Sequence, residues 1–206
     1  MQFLKEELRV KILESAKNEF HDKGYGKASM RTIAKHSGIT VGNIYRYFDG
    51  KEALFEAVVR KAYERFYEVF NTKIVDSILI ENREDQFEQM RAHIIEALVT
   101  CVEENRVELL ILLRGAQGTK YESMKEDFHK VLNSKVILRF KHCLKGTKNV
   151  DKIDFMSNVV TASCIDGLIE AIITYDDSKV LKEVMELIYD YYFLNFEIRF
   201  SHLSKK

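Results

Sequence analysis

The sequence predicts an all-α protein, and three observations carry this prediction. The 206 residues include no proline and only nine glycines, so residues that interrupt a helix are rare. Apolar residues return every three or four positions along most of the chain, which is the spacing of one helix face. A strand-like pattern is short everywhere, and at its best stretch, residues 72–80, we expect a helix end or a loop.

The composition is that of a soluble globular protein, with 46% hydrophobic and 31% charged residues. The longest fully apolar run, Leu109 to Leu113, is far shorter than the roughly 18 residues of a membrane span. Lys5, Glu6 and Glu7 stand where a secretory signal would be apolar. The three cysteines are odd in number and widely spaced, which fits a reducing compartment. We therefore expect a cytoplasmic protein that has no membrane partner.

The first predicted helix carries Leu8, Ile12, Ala16 and Phe20 at four-residue spacing. These side chains share one face, which we expect to be buried. The helix is predicted to end near Gly24, because glycine readily takes the left-handed conformation that closes a helix.

Two short helices are predicted next. Ser29 is a suitable N-cap for the first, which ends at Gly38, and Thr40 is a suitable N-cap for the second, Val41 to Phe48. Ala34 provides the small side chain that lets the two helices cross closely. Two short helices joined by a tight glycine turn form a helix-turn-helix, although an ordinary helical hairpin has the same pattern.

The rest of the chain is predicted to be helical as well. Asp49 and Glu52 resemble a capping box that starts a helix running from Lys51 to about Asn71. Further helices are predicted over 84–104, 106–116, 121–144, 150–175 and 178–200.

The segment from Gly38 to Leu54, GITVGNIYRYFDGKEAL, resembles the TetR (tetracycline repressor) family of transcriptional regulators. The residues that carry the resemblance are Tyr45, Tyr47, Phe48, Lys51, Glu52 and Leu54, preceded by Ile12, Ala16, Phe20, Gly24, Thr32, Ile33 and Ala34. The resemblance covers about residues 8–60, and the family often has histidine in place of Tyr47. It implies an N-terminal three-helix DNA-binding domain at 1–50 and a larger helical ligand-binding and dimerisation domain at 51–206.

The predicted recognition helix would lie in the major groove of double-stranded DNA. Gly42 lets the backbone approach the DNA closely, and Asn43 can offer a donor and an acceptor together to adenine. Val41 could contact a thymine methyl group. The predicted DNA-binding residues are Ser29, Arg31, Thr40, Val41, Gly42, Asn43, Tyr45, Tyr47 and Lys51.

The other contacts would be made to phosphate. The resemblance implies that Tyr45, Tyr47 and Lys51 serve this purpose, although either tyrosine ring could instead belong to the core. Residues 1–60 contain 11 basic and 8 acidic side chains, whereas the whole chain has 32 of each. This modest excess of positive charge places any nucleic-acid contact in the N-terminal part.

The last two predicted helices look like an interface. The segment 178–200 has two apolar stripes, and a helix that is apolar on two faces must bury both. One stripe is Val180, Val184, Leu187, Tyr191, Leu194 and Ile198, and the other is Met185, Ile188, Tyr192 and Phe196. We expect a homodimer through helices 150–175 and 178–200, with a fully intramolecular core as the alternative.

The helices between 84 and 175 are predicted to enclose a cavity for a small lipophilic effector. The candidate ligand-binding residues are Phe87, Ile94, Leu98, Leu110, Leu113, Arg114, Gln117, Phe128, Asp166 and Glu170. The charged members Arg114, Asp166 and Glu170 are either ligand anchors, an internal ion pair or exposed groups at an edge.

These observations predict a ligand-responsive transcriptional regulator, a repressor in type, that binds palindromic operator DNA as a dimer. The sequence contains no His-Glu-x-x-His, Cys-x-x-Cys, Gly-x-Ser-x-Gly or phosphate-binding glycine loop, so we expect no enzyme activity, no cofactor and no metal site. Two alternatives stay open: a DNA-binding protein that has no effector, and a helical interaction protein that does not bind DNA.

Overall fold

The computed structural model describes residues 2–75, 84–143 and 150–200. The helices are α1 (Gln2–Lys27), α2 (Met30–His36), α3 (Val41–Ile44), α4 (Lys51–Val69), a π-helical segment (Phe70–Val75), α5 (Glu84–Gly115), α6 (Met124–Cys143), α7 (Val150–Thr174), α8 (Ser178–Phe193) and α9 (Phe196–Phe200). The described residues contain no strand, which confirms the all-α prediction. The stretch considered as a strand begins in the π-helical segment, and its residues 76–80 lie outside the described part.

Two predicted helix breaks are confirmed as kinks. The predicted break at 103–105 is a kink in α5, where Asn105 has a non-helical φ of −135° and ψ of 25°. The first helix was predicted to end near Gly24, and its backbone leaves the helical conformation there, at φ 69° and ψ 166°, before one further turn to Lys27. Glycine adopts this positive φ without strain.

The predicted helix 178–200 is divided in two. Leu194 is extended at φ −68° and ψ 133°, and Asn195 takes a left-handed φ of 52°. Asparagine tolerates this region better than most residues, so α8 ends before it and α9 begins after it. The predicted helix 121–144 begins only at Met124, because the Gly118 N–H and the Glu122 carboxylate, 2.9 Å apart, close a turn before it.

The chain forms two compact units. The first contains residues Met1–Arg65 and Glu104–Met124 and therefore includes α1 to α3, most of α4 and the end of α5. Its core side chains Ile12, Phe20, Ile33, Ile44 and Leu54 are fully buried. Edge-to-face ring contacts add to this core, at 5.0 Å between Phe20 and Phe55 and 4.9 Å between Tyr63 and Tyr121. This unit extends past residue 50, where the domain boundary was predicted, and that boundary stays a prediction.

The second unit contains residues Phe66–Glu103 and Lys125–Lys206. In it, α7 packs against α8. Arg91 of α5 contacts Asp190 of α8 at 2.5 Å, and Lys182 of α8 contacts Glu96 of α5 at 2.7 Å. The apolar interior of this unit includes Ile94, Leu98, Leu132, Val136, Phe140, Val160, Leu181 and Met185, each at most 7% exposed.

Helix α7 is the most apolar part of this unit. By length and composition its stretch Asp151–Thr174 could cross a membrane, a property that core helices of soluble proteins share. Ile153, Val160 and Cys164 are buried in the interior, whereas Phe155 is 68% exposed. The helix therefore has an apolar face beyond the one that the single chain covers.

Candidate nucleic-acid interface

The start of α2 is fixed by two side chains. Ser29 is the predicted N-cap, and its hydroxyl accepts a hydrogen bond from the Thr32 N–H at 3.4 Å. Glu19 of α1 accepts a hydrogen bond from the Ser29 N–H at 2.9 Å, which ties the cap to α1. Negative charge at a helix N-terminus is favourable, so Glu19 stabilises both the turn and the helix.

The turn between α2 and α3 depends on Gly38. Its φ is 70°, and its N–H donates to the Lys35 carbonyl while the Ile39 N–H donates to the Ala34 carbonyl. This pattern satisfies the last carbonyls of α2 and requires a left-handed residue, which glycine adopts without strain. Ala34 is 2% exposed, as expected of the small residue at a helix crossing.

The predicted recognition helix is shorter than the sequence suggested. Thr40 is its N-cap, accepting from the Asn43 N–H at 3.4 Å, but α3 ends at Ile44 rather than Phe48. Beyond it, the Tyr47 N–H donates to the Ile44 carbonyl at 2.9 Å, three residues back. Such tighter bonds are usual in a last turn. Gly50, with φ 107°, then ends the segment.

The segment 41–48 has one buried and one accessible face. Ile44 is fully buried and Phe48 is 7% exposed, whereas Tyr45 on the other face is 53% exposed. The predicted DNA-binding residues Arg31, Thr40, Gly42 and Tyr45 are exposed, and Ser29, Val41, Asn43, Tyr47 and Lys51 are half-buried. Tyr45 is therefore not a core aromatic residue, and all nine predicted residues lie in the first unit.

Gly42 has no role inside its own chain that requires glycine. Its φ is not positive, and an added Cβ atom would meet only the Thr40 hydroxyl oxygen, at 4.0 Å. A glycine within a helix is less stable than alanine by about 0.5–1 kcal/mol. Neither backbone conformation nor packing within the chain therefore requires glycine at this position.

Lys51, at the start of α4, is held against the end of α1. Its ammonium group donates to the Gly26 carbonyl at 3.2 Å and lies 4.7 Å from the centre of the Tyr25 ring. Partial desolvation lowers the pKa of Lys51 below its ordinary value of 10.5, and the nearby Glu19 carboxylate opposes this shift. This contact was not predictable from the sequence, because Tyr25 and Gly26 are far from Lys51 along the chain.

The predicted ligand-binding residues do not form one group. Leu110, Leu113, Arg114 and Gln117 belong to the first unit, whereas Ile94, Leu98, Phe128, Asp166 and Glu170 belong to the second. Of the alternatives for the three charged members, the structure shows exposure at a helix surface for Arg114, Asp166 and Glu170. Asp166 pairs with Lys125 at 2.5 Å instead of with Arg114. The Phe87 side chain lies outside the described part.

The apolar members of that set in the second unit are buried. Ile94, Leu98 and Phe128 are at most 3% exposed. The Phe128 ring lies 4.6 Å from that of Phe70 and 5.4 Å from that of Phe66. Sequence reasoning missed Arg139 of α6, a charged side chain only 6% exposed, whose position near Val136 and Phe140 was the available signal. In the described part, no three His, Cys, Asp or Glu side chains could share a metal ion.

The two apolar stripes of α8 have different surroundings. The inward face consists of Leu181, Met185, Tyr189 and Phe193, each at most 6% exposed. The predicted stripe that begins at Val180 is accessible, with Leu187 and Tyr191 each 69% exposed. We call Leu187, Tyr191, Phe155 and Val159 the outer apolar face; Phe155 and Val159 of α7 are 68% and 42% exposed.

The comparisons with known proteins agree with this geometry. Residues 12–58 match the family described as bacterial regulatory proteins, tetR family. Over 76 residues the chain is 34% identical to the HTH-type transcriptional regulator YdgC of Bacillus subtilis, a match covering 37% of this chain and 36% of YdgC. It is 25% identical over 181 residues to the transcriptional repressor AcnR of Corynebacterium diphtheriae, covering 87% and 88% of the two chains.

A solved structure extends the likeness to the fold of most of the chain. SCO3833, a TetR regulator family member from Streptomyces coelicolor A3, matches with a TM-score of 0.60 at 17% identity, covering 89% of each chain. Helix-turn-helix, family match and fold together define a helical regulatory protein. Residues 12–58 therefore match the tetR family of bacterial regulatory proteins, and most of the chain shares the fold of a member of that family.

Proposed function

We propose that the chain represses transcription by binding an inverted-repeat operator as a homodimer and that a small lipophilic effector releases it. The match of residues 12–58 to the tetR family supports the regulatory role. The similarity to AcnR, which is named a transcriptional repressor, extends over 87% of the chain and favours repression. The known relatives are regulators rather than enzymes, and regulation of this kind takes place in the cytoplasm.

The single observation that carries the proposal is Gly42. It lies on the accessible face of α3, where open space surrounds the position of the missing side chain. A helix in the major groove brings its backbone close to the base edges and phosphates. DNA supplies the external reason for glycine that the chain itself does not.

The neighbouring side chains suit direct contact with DNA. Asn43 follows Gly42 on α3 and can bond to adenine through both its amide oxygen and its amide nitrogen. Tyr45 is 53% exposed, and its hydroxyl can reach phosphate. Lys51 would add a phosphate contact from the first turn of α4, where its ammonium group is already held in place by Gly26.

The outer apolar face supports the dimer. Leu187 and Tyr191 of α8 and Phe155 of α7 are large apolar side chains that the single chain leaves accessible, on two helices that pack together. Large exposed apolar surfaces of this kind mark interfaces. Pairing two copies through it gives a two-fold axis and two recognition helices, which an operator with half-sites about 34–36 Å apart would match.

The effector belongs to the second unit in this proposal. The buried side chains Ile94, Leu98 and Phe128 would present an apolar lining to it. Asp166 and Glu170 are not part of the proposed site, because both are exposed. Compounds that release the chain from its operator should therefore be lipophilic and uncharged, and release by hydrophilic anions alone would contradict this assignment.

The test is capture of sheared genomic DNA from the host by the purified full chain, followed by sequencing. We expect the recovered fragments to share an inverted repeat. Tyr45→Ala should recover much less DNA, whereas Tyr175→Ala, which removes an exposed tyrosine between α7 and α8, should behave like the native chain. Fragments without a common repeat, or equal recovery by both variants, would contradict the proposed function.

A further inference from the structure

A cleft of about 480 Å³ lies in the first unit, where the end of α1 meets the end of α5. Lys23 and Lys27 line it from α1, and Arg114 and Gln117 line it from the other side. Its size is in the range of small-molecule sites. It is distinct from the apolar interior of the second unit, in which the proposed effector would bind.

The cleft carries an excess of positive charge. Lys23, Lys27 and Arg114 are exposed, and none of them forms an ion pair with another residue that the structure describes. The one carboxylate in the lining is Asp22, which lies 3.4 Å from the His21 ring nitrogen. With histidine neutral, three cations and one carboxylate leave a charge of +2.

Two helix ends reduce this charge without cancelling it. α1 and α5 both end at the cleft, and a helix C-terminus carries a partial charge of about −0.5. Lys27 and Arg114 stand in these last turns. Two such ends leave an excess of roughly one positive charge. The cleft therefore suits an anion of single charge rather than a polyphosphate.

Beneath the cations the cleft is apolar. Phe20 and Ile111 are at most 1% exposed, and the half-buried Leu110 lies beside them. The two walls meet in a backbone contact, since a Cβ atom on Gly115 would lie 2.9 Å from the Gly24 Cα atom. This close contact holds the cations of α1 and the Arg114 side chain on opposite walls of one space.

We propose that this cleft is a second ligand site, which binds a small organic monoanion, a carboxylate or a sulfonate, attached to an apolar body. The anionic group lies among Lys23, Lys27 and Arg114, and the Gln117 amide offers it a further hydrogen bond. The apolar body contacts Leu110 and the floor of the cleft. The site goes beyond the proposed function, because it needs neither DNA nor the effector of the second unit.

The test uses two probes that differ by one charged group. 8-Anilinonaphthalene-1-sulfonate is a fluorescent monoanion, and N-phenyl-1-naphthylamine is the same molecule without its sulfonate. In fluorescence titrations of the full chain, Arg114→Gln should weaken binding of the sulfonate about two- to fivefold, the range of an exposed ion pair. Lys23→Gln should do the same. Both variants should leave binding of the neutral probe unchanged.

The control is Arg60→Gln, which removes an exposed arginine of the same unit that does not line the cleft. It should bind the sulfonate like the native chain. Equal weakening by Arg60→Gln and Arg114→Gln would overturn the site, as would equal weakening of the neutral probe. A third measurement is binding of non-specific duplex DNA at low salt without any probe. If Arg114→Gln weakens it, the cleft is a DNA-contacting surface and the monoanion site is wrong.

Discussion

The glycines of the helix-turn-helix serve different purposes at the scale of single residues. Gly38 provides a left-handed φ of 70°, which the turn requires. Gly42 has neither a positive φ nor a crowded side-chain position. Substitution of Gly42 therefore distinguishes an effect on the stability of the fold from an effect on DNA binding.

Gly42→Ala should stabilise the free chain and weaken its complex with DNA. Alanine favours the helical state by about 0.5–1 kcal/mol, whereas its methyl group would stand between the backbone and the groove. Thermal unfolding and fluorescence anisotropy with duplex DNA measure the two effects. Gly26→Ala, also at an exposed glycine with open space around it, should leave DNA binding unchanged. DNA binding by Gly42→Ala at native strength would refute the close approach.

Lys51→Ala should weaken binding to all DNA sequences about equally, as loss of a phosphate contact does. The logarithm of the DNA-binding constant falls linearly with the logarithm of the salt concentration, and the magnitude of this slope should decrease by about one. Lys61→Ala, at an exposed lysine of α4, is the control. An unchanged slope would show that Lys51 makes no phosphate contact and serves only the fold.

The affinity difference between the native chain and Lys51→Ala should also depend on pH. Desolvation lowers the pKa of Lys51, so its ammonium loses the proton more readily in the folded chain than in the unfolded chain. Charged Lys51 therefore destabilises the fold at neutral pH, and this penalty falls as the pH rises through the lowered pKa. The contact with phosphate is lost over the same interval, so the affinity difference should shrink as the pH approaches 10.5.

Local signals predicted the residues whose roles are local. The N-caps Ser29 and Thr40 and the turn at Gly38 are confirmed, because each depends on neighbours within a few positions. The contact of Lys51 with Tyr25 was not predictable in this way, since it arises only when α1 and α4 pack together.

At the scale of elements, the ends of α1 and α5 are joined through two glycines. A Cβ atom on Gly115 would meet the Gly24 backbone at 2.9 Å, and backbone cannot move aside as a flexible side chain can. Gly115→Ala should therefore destabilise the chain by about 1–3 kcal/mol, as overpacking does. Chemical unfolding measures this, with Gly26→Ala as the uncrowded control. If both variants unfold at the same denaturant concentration, the close contact has no energetic importance.

The outer apolar face makes a prediction about assembly. Leu187→Asp should produce a monomer with an intact fold, because Leu187 is 69% exposed in the single chain but would be buried between two copies. Lys179→Asp, at an exposed residue off the stripe, should leave the dimer intact. Sedimentation at micromolar concentration distinguishes the two, and a native chain that sediments as a monomer would exclude the interface.

Apolar spacing predicted the existence of the helices better than their ends. The predicted break near Asn105 is confirmed as a kink in α5, whereas the division of the last helix at Asn195 was not predicted. Asn105 follows Glu103 and Glu104, a polar stretch that indicates a break. Asn195 stands between Leu194 and Phe196, so the apolar pattern continues across it and does not indicate its left-handed conformation.

At the scale of the whole molecule, the sequence order does not reveal which segments share a unit. Residues 104–124 belong to the same unit as the N-terminal helices, so Leu110 and Arg114 belong to the first unit, whereas Ile94 and Leu98 of the same helix belong to the second. A continuous apolar stripe suggested a single ligand cavity. The residues of this stripe are divided between two units by tertiary packing, which the helical spacing of apolar residues does not predict.

We propose that the two α3 helices of a homodimer recognise the bases of the operator, and one measurement tests this directly. The affinity of the native chain and of Asn43→Ala is measured for every single-base variant of the inverted repeat recovered from the genome. The native chain should discriminate by about 1–3 kcal/mol at one base pair that occupies equivalent positions in both half-sites, and Asn43→Ala should lose discrimination at that pair alone. Identical profiles for the two proteins, or a change in only one half-site, would contradict the claim.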